Sequence, residues 1–171
     1  GNEHRRRRQL IMPPFHGERL KAYGEIIQNI TQEVIAQWST QEPFQVRSSM
    51  QKITMRVILE AVFGLHAGER YQKIERLLSQ RLDMVGNPIS SMIVFLPWLR
   101  KDLGSWSPGG RIRQLSEEID RLLFAEIQER RNNLDPNRID ILSLLLMAED
   151  EDGNGLTDQD LRDELMTLLL A

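Results

Sequence analysis

GNEHRRRRQLIMPPF, Gly1 to Phe15, packs one histidine, four consecutive arginines and two prolines into its opening turns. A helix through residues 4–11 turns by about 100° per residue. His4 and Arg8, four apart, then fall on one face, while Arg5 and Arg6 lie off it, so the four arginines cannot serve a single site. Pro13 and Pro14 end the helix, because neither has an N–H and each disfavours helix just before it. A fork made of His4 and Arg8 suits an anion with spread oxygens, such as a carboxylate pair or a phosphate. A solvated basic helix end, or an arm for nucleic acid or membrane, is the other reading of four arginines in a row.

Composition narrows the choice. The chain has 171 residues, 40% of them apolar and 27% charged, which is enough for one domain with a real core. A net charge of -3 argues against nucleic acid as a partner, since such domains are usually strongly basic. There is no cysteine, which excludes a disulfide framework and any cysteine-ligated metal within this chain. No apolar run reaches the roughly 18 residues of a membrane-spanning helix, and no signal region opens the sequence. A cytoplasmic location is therefore expected, with no transmembrane segment.

The rest of the chain reads as helices. Residues 17–39 carry Leu20, Tyr23, Ile27, Ile30, Val34 and Trp38 at spacings of three and four, an inward stripe. Residues 46–63 place Met50, Ile53, Val57 and Ala61 on one face, widened by Ile58 and Val62, with Gly64 placed to stop the helix. Residues 69–84 follow, with Ile74, Leu77, Leu78 and Leu82 inward and a break at Gly86, Asn87 and Pro88. The link at 89–99 is apolar where a connection is normally polar, so it is either buried or covers an apolar ligand site. A fourth long helix over about 109–131 turns Ile112, Leu115, Ile119, Leu122 and Ile127 inward; Glu117, Glu118, Asp120, Arg121, Glu126, Glu129 and Arg130 form its solvated face. Asp135, Pro136 and Asn137 start a short helix running to about residue 148.

Asp150 to Gly155, DEDGNG, opens like a calcium-binding loop but ends on Leu161 where a bidentate Glu is required. Its simpler use is a solvated turn, with Thr157 capping the next helix and Asp160 in the capping-box position. Residues 156–171 form the last helix, with Leu161, Leu165, Leu168 and Leu169 in a stripe and a final turn that is apolar nearly all round. Such a helix belongs inside a larger protein, so the sequence is expected to be part of a longer chain.

Two stretches carry a family resemblance. Gly1-x-x-His4-x-x-x-Arg8, followed by Leu10, Pro13 and Phe15, resembles the C helix of the cytochrome P-450 family of heme-thiolate monooxygenases. Residues 156–171 resemble the first half of that family's I helix, just before its (Ala/Gly)-Gly-x-(Asp/Glu)-Thr motif, of which Ala171 would be the first residue. The helix order between them is similar too, with the 89–99 link at the F–G region that covers the substrate entrance. The resemblance implies a mainly α fold, the C-to-I-helix part of a multi-helical orthogonal bundle, with residues 1–171 a single partial domain. It implies that His4 and Arg8 hold the propionates of heme b, and that Arg5 and Arg6 help to dock a ferredoxin- or flavodoxin-type electron donor. Thr167, Leu170 and Ala171 would border the pocket for an apolar, lipid-like substrate that receives one oxygen atom from O2. The forms PPFHGER at 13–19 and LMTLLLA at 165–171 look most like cyanobacterial members. The Thr motif, the Glu-x-x-Arg helix and the cysteine loop are absent from the chain, so no catalytic residue and no iron ligand lies within it, and the chain alone should be inactive. The alternative is a helical interaction module with a basic arm at Arg5 to Arg8.

Overall fold

Among the described residues, the apolar stripes of the sequence close into helices. The computed structural model describes residues 2–39, 41, 43, 45–86, 104 and 107–170, without the side chains of 2–4, 84–86, 108 and 170. Among them are seven α-helices: α1 (Asn2–Ile11), α2 (Glu18–Ile35), α3 (Val46–Phe63), α4 (Glu69–Gly86), α5 (Pro108–Asn132), α6 (Ile141–Leu146) and α7 (Asp158–Leu170). A 3-10 turn at Pro13–Phe15 follows α1, and Glu149 and Gly155 form an isolated antiparallel bridge. The fold is mainly α, as expected. The bounds of α3 match the sequence reading, and α4 runs on through Gly86. The short helix expected from Asp135 begins only at Ile141, because Asp140 is its N-cap, in extended conformation with its carboxylate accepting from the Ser143 N–H. The apolar link at 89–99 lies outside the described residues.

The chain divides into two compact units, Gly1–His66 with Ile127–Ala171, and Ala67–Glu126. In the first, α2 packs on α3, and α3 packs on α6 and α7. Its core takes Leu10 from α1, Tyr23, Ile30 and Val34 from α2, Leu59 and Phe63 from α3, Leu142 and Leu145 from α6, and Leu161 and Leu165 from α7. In the second, Ile74, Leu77 and Leu78 of α4 and Leu115, Ile119 and Leu123 of α5 are buried. There Arg70 Nη1 donates to Glu126 Oε2 at 2.6 Å and Arg81 Nη1 to Ser116 Oγ at 2.8 Å.

Several apolar positions differ from the stripes read in the sequence. Leu20 and Ile27 are 58% and 46% exposed and Met50 is 41% exposed. On α3 the buried side chains are Met55, Leu59, Ala61, Val62 and Phe63, of which Ala61 and Val62 lie on the side read in the sequence. That helix is apolar on more than one side, and the described neighbours cover the side that carries Leu59 and Phe63.

The end of α3 shows why one charged residue had to go inside. Gly64 adopts the left-handed conformation (φ 59°, ψ 31°) that closes the helix, with its N–H on Glu60 O and the Leu65 N–H on Leu59 O. A Cβ at Gly64 would lie 2.6 Å from Arg138 Nη2 and 2.8 Å from Asp140 Oδ2, so the close approach also requires glycine. The last carbonyls of a helix lack intrahelical donors, and arginines supply them here. Arg130 Nη2 donates to Phe63 O, while its Nη1 reaches Ser143 Oγ at 3.1 Å and Asp140 Oδ2 at 3.3 Å. Arg138 Nε donates to Asp140 Oδ2 at 2.8 Å, and its Nη2 lies 3.3 Å from Gly64 O. Burial pushes the Asp140 carboxyl up, but the bonds from Arg138 and Ser143 and the charge of Arg130 outweigh it and hold Asp140 below the usual carboxylate range.

Replacing Arg130 by Met should leave Asp140 and the Phe63 carbonyl short of a buried partner. A loss of about 3–5 kcal/mol is expected on urea unfolding of the full-length protein, whereas the exposed Arg111→Ala should stay within about 0.5 kcal/mol. Equal losses in the two variants would contradict this account of the network.

Candidate functional site on the first helix

The roles of the four arginines follow from which side of α1 faces the core. Leu10 is the buried apolar residue of that helix, 3% exposed. Arg6 and Arg7 lie four and three residues before it and so share its face. Both are engaged within the first unit. Arg6 Nε donates to Asp150 Oδ2, and its Nη2 lies 3.5 Å from Asn154 O. Arg7 Nη2 donates to Asp160 Oδ1. Arg5 and Arg8 are exposed, and among the described residues neither has a carboxylate partner.

Both acceptors are held in place locally. The Asp150 Oδ1 atom accepts the N–H groups of Asp152 at 3.0 Å and Asn154 at 2.8 Å, which ties the turn closed. Its other oxygen is left for Arg6. Asp160 Oδ2 accepts from the hydroxyl of Thr157 at 2.6 Å and from its N–H at 3.1 Å, while the Asp160 N–H donates back to Thr157 Oγ1 at 3.1 Å. This is the reciprocal cap expected from the sequence, and it leaves Oδ1 for Arg7. The hydrogen bond from Arg6 holds Asp150 below the usual carboxylate range, aided by the Asn154 N–H. Asp160 is lowered by the Thr157 hydroxyl first, with the charge of Arg7 adding to it.

Of the residues expected at a site, His4 lies in α1 one turn before Arg8, and its side chain is outside the described residues. Arg8 is exposed and has no carboxylate partner among the described residues, so it is available to an anion. Arg6 is not the outward docking cation that the sequence reading made it, since its guanidinium is committed to Asp150. On α7, Thr167 is exposed, with its hydroxyl donating to Asp163 O at 2.9 Å. It lies about 10 Å of helix rise beyond Asp160. Leu170 ends α7, with its side chain outside the described residues, as is Ala171 altogether. No described contact joins Arg8 to Thr167. A separate cavity of about 520 Å³ in the first unit, bounded by Tyr23, Ala61, Gly64 and Arg138 among others, takes in neither of them. No described helix is long and apolar enough to cross a membrane, and no cluster of three or more metal-ligating side chains occurs among the described residues.

Sequence reasoning missed the ion pairs of the part-exposed Arg6 and Arg7 and the burial of Glu126 and Arg130. The signal was present in the spacing. Arg6 and Arg7 are in register with Leu10, and Glu126 and Arg130 are in register with Leu123 and Ile127, all at helical intervals of three and four. A charge on the apolar face of a helix announces a buried partner.

The family model described as Cytochrome P450 matches residues 1–171. The chain is 37% identical to cytochrome P450 138 of Mycobacterium tuberculosis and Mycobacterium bovis over 178 residues, covering 100% of this chain and 38% of that protein. It is also 37% identical to cytochrome P450 135B1 of the same organisms, covering 98% of this chain and 34% of that one. The chain thus spans little more than a third of the curated relatives it matches. In fold it is similar to the solved cyanobacterial CYP120A1 with retinoic acid bound, with a TM-score of 0.73 at 20% identity, covering 99% of this chain and 36% of the other. The heme domain of cytochrome P450DA gives a TM-score of 0.61 at 20% identity, with 95% and 34% covered.

The carboxylates that receive Arg6 and Arg7 have a testable signature. Their lowered values mean that each ion pair is intact above the ordinary aspartate value of about 3.9 and is lost as the pH falls through the lower folded value. Carboxyl-carbon NMR titration of the full-length protein should show Asp150 and Asp160 titrating below that ordinary value. Titration of either at or above it would mean that the pair does not form in solution.

Proposed function

Because the chain belongs to the cytochrome P450 family, we propose that these residues are one stretch of a heme-dependent monooxygenase, part of a single larger catalytic domain. The observation that carries the reading is the family match over the whole of residues 1–171, taken with an exposed Arg8, unpaired among the described residues, on the helix that carries His4. The donor set fits the cofactor. A guanidinium with no partner among the described residues, on a helix that carries a histidine four positions earlier, suits a carboxylate-bearing group. His4 and Arg8 would bind the propionates of heme b and orient it through them. When bound, the heme supplies the O2-activating iron chemistry that inserts one oxygen atom into the substrate. With no cysteine in the sequence, the axial thiolate of the iron would come from elsewhere in the full-length protein.

Further residues take finer parts in this reading. Thr167 and Leu170, three apart on α7, and Ala171 after them would border a pocket for an apolar, lipid-like small molecule. Thr167 is exposed while Leu161, Leu165 and Leu169 of the same helix are buried, which leaves the face that carries Thr167 open to a neighbour outside this stretch. Arg5, exposed on α1, would meet an acidic ferredoxin- or flavodoxin-type electron donor, acting mainly on the association rate. The exposed Leu20, Ile27 and Ile35 of α2 fit a face covered by other parts of the protein, and the protein would work in the cytoplasm.

Heme retention tests the anchor. In the full-length protein, Arg8→Ala should speed heme transfer to an apoprotein acceptor by about 10- to 150-fold, as expected for one charge-assisted bond of about 1.5–3 kcal/mol. A wild-type transfer rate in that variant would remove Arg8 from the site.

Leu170→Phe tests the pocket. It should keep heme and fold, yet change the substrate-induced shift of the heme spectrum and the position of the product. An unchanged product with only a lower melting temperature would instead mark Leu170 as ordinary core, where overpacking costs about 1–3 kcal/mol.

A further inference from the structure

Four adjacent arginines could all have turned outward, yet the structure divides them into two pairs. With Arg8 as reference, Arg6 is about 160° round the helix and Arg7 about 100°, on the side of Leu10, while position 4 lies within about 40° of Arg8. We propose that Arg6 and Arg7 are positioning residues that fix the roll of α1 and so aim the face carrying His4 and Arg8 at the heme propionates. This rests on the reading of His4 and Arg8 given above.

One attachment would leave a helix of 10 residues free to rotate about the point of contact. Two attachments about 100° apart round its axis, to acceptors on different elements, remove that freedom. Arg6 is tied to the turn enclosed by the Glu149–Gly155 bridge, through both Asp150 and the Asn154 carbonyl. Arg7 is tied to Asp160 in the first turn of α7. Each acceptor carboxylate spends one oxygen on its own backbone turn or cap and offers the other, so neither can follow a rolling helix without breaking local structure. Leu10 adds an apolar contact on the same side. The segment that bears Asp160 is anchored in turn to α5, where Arg131 Nε donates to Asp158 Oδ1 at 2.9 Å and Arg131 Nη2 to Leu156 O at 3.0 Å. The clamp is therefore seated on a fixed base. It also explains why the arginines are adjacent. On a helix, neighbours in sequence diverge by about 100°, so four in a row supply two part-exposed anchors on the side of Leu10 and two exposed cations.

The test uses the full-length, heme-loaded protein. Arg6→Gln with Arg7→Gln removes both charges; Arg6→Lys with Arg7→Lys keeps them; Asp150→Asn with Asp160→Asn keeps the oxygens that hold the turn and cap. Heme transfer to an acceptor apoprotein and hydrogen exchange of the α1 amides are read together. The Gln pair and the Asn pair should each raise the heme transfer rate about three- to tenfold, as two part-exposed ion pairs allow, and should speed α1 exchange. The Lys pair should stay within about twofold of wild type in both. At about 1 M salt, where the screening length falls to about 3 Å, wild type should approach the Asn pair. If the Gln pair fails to fold, the Asn pair carries the test alone. Wild-type heme retention in the Asn pair, or faster heme loss with unchanged α1 exchange, overturns the proposal. Arg8→Ala separates the two ideas: an unaffected rate there defeats the propionate reading, whereas a faster rate there with a silent Asn pair defeats only the clamp.

Discussion

The first unit of this chain depends on a carbonyl. Phe63 O closes α3 with no helical donor of its own, and it is met by Arg130, which lies 67 residues further along the sequence. The unit is assembled from two distant stretches, Gly1–His66 and Ile127–Ala171, and this contact ties one to the other at a buried point. Arginine suits the task because its planar fork serves several acceptors at once and keeps its charge. Here it meets a backbone carbonyl, a hydroxyl and a carboxylate together. Gly64 makes room, since a side chain there would displace Arg138 and Asp140.

Order passes outward from that point through shared residues. Asp140 is both the counter-charge of the arginines and the cap of α6. The short α6 packs against α7, and the turn between them carries Asp150. The start of α7 carries Asp160, and those two aspartates hold α1. The same economy recurs at each step, with one carboxylate oxygen fixing local backbone and the other reaching a distant arginine. The outward half of α1 is then left with Arg5 and Arg8, the cations that have no described partner within the chain.

Much of the fold could be read from periodicity. The bounds of α3, the sequence of helices and the cap at Thr157 all follow from local rules that tertiary packing did not override. The faces were read less well, for two reasons. Helix α3 is apolar on more than one side, so spacing alone could not say that Leu59 and Phe63, rather than Met50 and Ile53, would meet the described neighbours. Charges were also assigned to solvent by default. That default fails where an ionic side chain falls in register with an apolar stripe, as Glu126 and Arg130 do on α5 and Arg6 and Arg7 do on α1. The outward pairing of Arg5 with Arg6 was wrong for this reason, while the separation of Arg6 from Arg8 on opposite faces was correct.

The most direct measurement is a crystal structure of the full-length, heme-loaded protein. The Arg8 guanidinium should lie within hydrogen-bond distance of a heme propionate, with Arg6 still on Asp150 and Arg7 still on Asp160. A structure in which Arg6 or Arg7 meets the propionate, and Arg8 faces solvent, would contradict that arrangement.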